Sequence, residues 1–202
     1  MNGARRTDRV LDLGALGTVS ARSLEPQDPR AHLVLGHGAG AGMTHPFLES
    51  IAVRLASRAV ATFRYQFPYM ERGQRRTDPP SVATATTSTA ASLAPLPEVQ
   101  GLVFLGFPLH PAGRPGTERA VHLDHVQVPM LFLEGTRDTL CDLELLGHVL
   151  RRLGRRATLH LWDGADHSFH VVKRSGKTDE QVLDELADAI AAWCGTCVAS
   201  DR

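Results

Sequence analysis

The chain alternates short apolar runs with polar, glycine-rich or helix-periodic stretches. His32–Leu35, Ala59–Tyr65, Leu102–Phe107, Pro129–Glu134 and Ala157–Trp162 each hold four to seven mostly apolar residues, as buried strands do. Between them the apolar spacing changes to three and four. Thr44 or His45 can cap a helix that buries Phe47, Leu48, Ile51 and Leu55. Leu140–Leu153 repeats that pattern with Leu146, Val149, Leu150 and Leu153, and Gly154 stops it. Thr178 and Gln181 form a capping box that opens a last helix with Val182, Leu183, Leu186, Ile190 and Trp193 inward. Residues 1–31 read as irregular, with possible edge strands at Val10–Leu13 and Thr18–Ser23 and a turn at "EPQDPR".

Strands alternating with helices predict an α/β fold: one mostly parallel sheet covered by helices on both faces, in three layers. One stretch breaks the rhythm. No strand is predicted between Tyr65 and Leu102, and "TDPPSVATATTSTAAS" (77–92) is at best a weak, threonine-rich helix after Pro80. That gap has room for one more strand-and-helix unit, and the unit is not there.

Composition narrows the class. A chain of 202 residues suits a single domain over 1–202, with 195–202 as a tail. Formal net charge is zero, so no basic surplus points to nucleic acid or to an acidic membrane face. The polar start "MNGARRTDRV" shows no signal peptide, and no apolar run approaches the ~20 residues of a membrane span. Three cysteines, an odd number, make no disulfide framework, and the expected setting is reducing and cytoplasmic. Oligomeric state is not readable from these features.

Two residues carry the candidate chemistry. Asp138 follows the strand in "PMLFLEGTRD", and His167 follows the next strand in "LHLWDGADHSF". Functional groups in open parallel sheets gather beyond the C-terminal ends of strands. An acid followed by a histidine in that position is the order of an orienting carboxylate and a general base. Alone, Asp138 reads as a helix cap and His167 as a loop histidine; as a pair at consecutive strand ends they read as catalytic. Upstream, Gly38, Ala39 and Gly40 lie in "LGHGAGAG", a loop whose backbone N–H groups could hold an oxyanion. A dinucleotide reading of that loop is weaker, because the following strand ends in Arg64 and Tyr65 rather than an acid.

A nucleophile is harder to find. No G-x-S-x-G occurs, and Ser88 in "TTSTA" is the nearest substitute, without the preceding strand or the glycines. Cys141 reads as packing. Cys194 and Cys197 follow a helix instead of opening one, so they lack the setting of a redox pair. "GKT" (176–178) lacks the earlier glycine of a phosphate loop. The H-x-x-H pairs at His122/His125 and His167/His170 have no neighbouring ligands to complete a zinc set. No cofactor and no metal is expected.

The segments "HGAGAGMTHPFL", "FRYQFPYMERG", "GLVFLGFPLHPAGRP", "PMLFLEGTRD", "GADHSFHVVKRSG" and "DELADAIAAW" together resemble a small bacterial branch of the α/β-hydrolases. That branch is akin to the dienelactone hydrolases and to animal testis-expressed and chromatin-complex hydrolase-like proteins. The resemblance covers roughly residues 30 to 195. It implies a triad acid at Asp138, a triad histidine at His167, an oxyanion loop at Gly38–Gly40 and a small-molecule ester or acyl substrate. It also implies a strand and a glycine-flanked serine elbow ahead of the helix at "TSTAASLAPLPEVQ", whereas here "PPSVATAT" runs straight into that helix. One strand-and-elbow unit is thus expected to be lost near Ala83–Thr87. The strands at 32–35 and 102–107 that would flank the lost strand must then pair directly or leave a gap. Three functions follow: a hydrolase with absent or weak activity, a non-catalytic binding or scaffold protein using the family's pocket, or a hydrolase acting through Ser88 or a water activated by His167.

Overall fold

The computed structural model describes residues 3–38, 41–73, 87–93 and 99–199. By internal contacts the chain divides into two units. The first holds the described residues up to Gly73 together with Ala187–Gly195; the second holds those from Thr87 to Leu186 and the end of the last helix.

The first unit is built on a four-stranded sheet in the order β1-β2-β4-β3. β1 (Arg5–Asp12) and β2 (Thr18–Glu25) form an antiparallel hairpin in register from Arg5↔Glu25 to Asp12↔Thr18. β2 also pairs antiparallel with β4 (Val60–Tyr65), and β3 (Ala31–Leu35) pairs parallel with β4. The N-terminal region is therefore strand, where its sequence read as largely irregular, and β2 is flanked on both sides instead of lying at an edge. Its inward residues, Val19, Ala21 and Ser23, alternate with polar ones but are small, so the period-two signal is faint.

Helix α1 (Pro46–Ala56) makes the crossover from β3 to β4. His45 caps it by accepting from the Phe47 N–H, and Leu48, Ile51, Ala52, Leu55 and Ala56 form its buried face. A short α2 (Pro68–Glu71) follows β4. Beneath α1 lies a charged network. Arg64, buried on β4, donates to Glu49 at 3.2 Å and to the Met43 carbonyl at 3.3 Å. Arg22 bridges Glu49 at 2.8 Å to Asp8 at 2.6 Å.

In the second unit three strands run parallel in the order β5-β6-β7: β5 (Leu102–Leu105), β6 (Met130–Gly135) and β7 (Ala157–Trp162). All six residues of β6, the middle strand, are buried. Helix α3 (Thr87–Leu93) packs on a 3-10 segment at Glu118–His125. Helix α4 (Leu143–Leu153) lies between β6 and β7 in sequence, capped by Asp142 accepting from the Leu145 N–H at 2.9 Å. Leu109, Leu123, Met130, Phe132, Leu146 and Val149 make the core. Phe132 stacks on Phe104 at 4.7 Å and meets Phe107 edge-on at 5.8 Å.

The last helix, α5 (Asp179–Ala199), opens on the expected capping box. Thr178 N donates to Gln181 Oε1 at 2.8 Å, and Gln181 N donates to Thr178 Oγ1 at 3.2 Å. Among the described residues no helix is long and apolar enough to cross a membrane.

The structure changes one expectation about a strand. β3 is not a fully buried strand: its residues alternate, with Val34 53% exposed. Among the described residues β3 ends the first sheet beside β4, and β5 ends the second beside β6. The expected loss near Ala83–Thr87 falls, apart from Thr87 itself, outside the described residues.

Candidate active site

The end of β6 and the end of β7 are zipped together by backbone contacts. Gly135 has no room for a side chain, since a Cβ there would sit 2.3 Å from the Ala165 carbonyl oxygen. Thr136 N donates to the Trp162 carbonyl at 3.0 Å and Arg137 N to the Ala165 carbonyl at 2.8 Å. Asp138 emerges from this turn with its carboxyl fully buried. Oδ1 accepts from the Leu140 N–H at 2.7 Å, and Oδ2 lies 2.6 Å from His167 Nδ1. The residue that read alone as a helix cap instead holds a local turn and the histidine together; the helix cap is Asp142.

His167 occupies a loop fixed by Asp166, whose Oδ1 accepts from the Ser168 and His170 N–H groups at 2.9 and 3.0 Å. Phe169 takes a left-handed backbone (φ 62°) while buried, a conformation unusual for a bulky residue and one that needs tight support from its surroundings. The Asp138 hydrogen bond raises the His167 pKa above the ordinary imidazole value, against a smaller lowering from burial. With Nδ1 donating to the carboxylate, Nε2 is left as the acceptor. An imidazole held at Nδ1 by a buried carboxylate has the geometry that general acid–base chemistry needs, and the side chain is 39% exposed.

A second carboxyl lies beneath it. Glu134, fully buried on β6, accepts from the Phe107 N–H at 2.6 Å through Oε1. Burial pushes its pKa up to about 8, with the charge of Asp138 adding to the effect. The turn it holds contains Gly106 (φ +71°), where a Cβ would meet the His167 carbonyl oxygen at 3.0 Å and Nδ1 at 3.2 Å. Glu134 and Gly106 were not singled out from the sequence. A lone glutamate inside an apolar run was the available signal.

The other expected site residues fare differently. Ser88 Oγ lies 3.2 Å from His122 Nε2, so its imidazole partner is His122 and not His167. Burial lowers the His122 pKa, against a hydrogen bond to the Arg119 backbone. Cys141 is buried, and its thiol pKa is pushed up by burial and the nearby Glu134 and Asp138 charges, which fits packing and not attack. Gly38 belongs to the first unit, where the buried His37 donates from Nδ1 to its carbonyl at 2.9 Å and accepts from the Phe67 N–H at 3.1 Å. Ala39 and Gly40 lie outside the described residues. No group of three or more histidine, cysteine or acidic side chains suited to a metal occurs among the described residues.

The family of proteins described as "Alpha/beta hydrolase domain" matches this chain over residues 29–96 and 81–195. The chain belongs to that family. Solved α/β-hydrolases share its fold. An alpha-beta serine hydrolase homologue from Coxiella burnetii aligns with a TM-score of 0.65 at 16% identity, over 89% of this chain and 96% of that one. A serine hydrolase without a lid from Xanthomonas campestris gives 0.63 at 19% identity, over 94% and 95%. A dienelactone hydrolase from Anabaena variabilis gives 0.61 at 17%, over 94% and 96%. At these identities the likeness establishes the three-layer α/β-hydrolase fold class and leaves activity to the residues.

Proposed function

We propose that this protein is an α/β-hydrolase of esterase or dienelactone-hydrolase type whose hydrolysis of small ester or acyl substrates is absent or weak. The observation that carries the reading is the pairing pattern: His167 is hydrogen-bonded to Asp138, while Ser88, the candidate nucleophile, is engaged by His122. In the full mechanism a serine attacks the acyl carbon, His167 takes its proton at Nε2 and returns it to the leaving group, and Asp138 stabilises the imidazolium. The His167–Asp138 hydrogen bond supports these roles for the last two groups, and among the described residues no serine or cysteine is hydrogen-bonded to His167. The two stretches matched by the family overlap at residues 81–96, which supports a lost strand-and-elbow unit there. Loss of the elbow also removes the N–H that it contributes to the oxyanion site. Cys141, Cys194 and Cys197 are thiols and not disulfide halves, which agrees with a reducing, cytoplasmic setting.

A fluorophosphonate probe tests this reading. The expected outcome is no covalent labelling, with hydrolysis of p-nitrophenyl acetate at background and unchanged by His167→Ala. Labelling that disappears in His167→Ala would overturn it. The Ser88–His122 contact favours one second reading, a hydrolase with a substitute nucleophile; it requires labelling of Ser88 that survives His167→Ala and is abolished by His122→Gln.

A further inference from the structure

Glu134 has no part in the triad chemistry, yet its placement ties it to both members of the Asp138–His167 pair. Oε1 accepts from the Phe107 N–H at 2.6 Å. The adjoining Gly106 presses against the imidazole, with a built Cβ only 3.2 Å from Nδ1 and 3.3 Å from Cε1 of His167. Gly106 N in turn donates to the Leu133 carbonyl at 2.9 Å, so the turn is anchored to β6 at two successive residues. His167 Nδ1 is also held by Asp138 Oδ2, at 2.6 Å. A ring gripped between a carboxylate and a backbone turn can keep its alignment only if that turn stays still.

The geometry points to Glu134 as a positioning residue for the Asp138–His167 pair, acting through the Gly106–Phe107 turn that its carboxyl holds. This rests on the reading of that pair as the acid–base half of the hydrolase site. The chemistry of the surroundings explains why an acid can do this without disturbing Asp138. Glu134 Oε2 is buried and has no hydrogen-bond partner of ordinary geometry, and the thiol of Cys141 is at best a weak one. A carboxylate charge there would be unpaired, so the group keeps its proton, and Asp138, with a weaker contribution from Asp166, supplies the negative charge against the imidazole. The titratable groups that act on Glu134 are Asp138 and Cys141, with Asp142 acting on Cys141 in turn. Burial accounts for most of its shift, to about 8, and ionisation above that pH adds a further negative charge near His167, beside Asp138 and Asp166.

The test reads the His167 imidazole by NMR across a pH titration, so it does not depend on activity. In the unmodified protein the His167 resonance should show its own step and a second, smaller inflection near pH 8 from Glu134. Glu134→Gln keeps an acceptor for the Phe107 N–H; it should preserve the main midpoint and abolish the inflection. Glu134→Ala frees the turn and should move the midpoint down, towards that of an ordinary imidazole. Leu146→Ala, a fully buried core change on α4, is the control for general loosening and should leave the midpoint where it is. The proposal is overturned if Glu134→Ala leaves the midpoint unchanged, if Leu146→Ala moves it as far, or if the inflection persists in Glu134→Gln. The glutamine arm stands even where the alanine variant fails to fold. Asp138→Asn separates the two readings: an unmoved midpoint there would mean that the underlying pair fails, whatever Glu134 does.

Discussion

β3 and β6 look alike as sequence and behave differently as structure. Both are short apolar runs that end at glycine, "HLVLG" and "MLFLEG". β6 lies between β5 and β7 and is buried along its whole length, whereas among the described residues β3 has β4 as its sole ladder partner and shows Val34 to solvent. The contrast extends to polar groups. The first unit buries charge in an ion-pair network: Arg64 and Arg22 share Glu49, although Arg64 Nε has no hydrogen-bond partner. The second buries carboxyls, Glu134 and Asp138, and among the described residues the imidazole of His167 is the cationic group hydrogen-bonded to one of them. Apolar patterning therefore identifies a strand. The number of neighbours a strand gains decides what it contributes.

The sharpest way to break this comparison is to cut a side chain from each strand. Phe132→Ala removes a fully buried ring from a core of interlocked aromatics and should cost about 3–5 kcal/mol, read as lost hydrogen-exchange protection in β5, β6 and β7. Val34→Ala should stay within about 0.5 kcal/mol in β3, as exposed substitutions do. Equal effects would mean that β3 is a core strand covered in solution.

How much of this was legible beforehand depended on whether the signal was local. β7 begins and ends where its apolar run does, and the Thr178–Gln181 capping box forms as spaced, because both depend on residues within a few positions. The Asp138–His167 pair was legible for a different reason: parallel strands bring their C-terminal ends to one edge, so two loops distant in sequence meet. The β1–β2 hairpin was faint because small inward residues weaken the alternation. Ser88's engagement by His122 and Glu134's hold on Phe107 are contacts across 34 and 27 positions, and no periodicity encodes them.

The two styles of burial also predict different pH responses. Glu134 binds its proton more tightly when folded, with a pKa near 8 against 4.5 for the free side chain. Between those values the unfolded chain has released a proton that the folded one keeps, so stability falls as pH rises and levels off above about 8. His167, whose folded pKa is raised by Asp138, adds stability that is complete at low pH and lost on rising through that pKa, in the same direction. Urea titrations at pH 5 and pH 8.5 should therefore show wild type losing stability, with Glu134→Gln losing distinctly less. A slope unchanged in Glu134→Gln would place that buried carboxyl in its ionised form.

The smallest effects separate buried from exposed charge within the first unit. Arg64→Met keeps most of the volume and removes a buried guanidinium from Glu49, but Glu49 retains Arg22, so the loss should be about 2 kcal/mol and not the larger penalty of a stranded buried ion. Arg5 pairs with Glu25 at 3.2 Å across the β1–β2 hairpin with its side chain 75% exposed. Water already solvates both partners, and holding two long side chains in place costs rotamer freedom. Arg5→Ala should therefore change stability by less than about 0.5 kcal/mol, and by less still in high salt. Thermal melts of both variants at low and high ionic strength check the pair. A salt-sensitive loss at Arg5 comparable to that at Arg64 would show that the hairpin is held by charge, and not by the ladder and the inward row of Val19, Ala21 and Ser23.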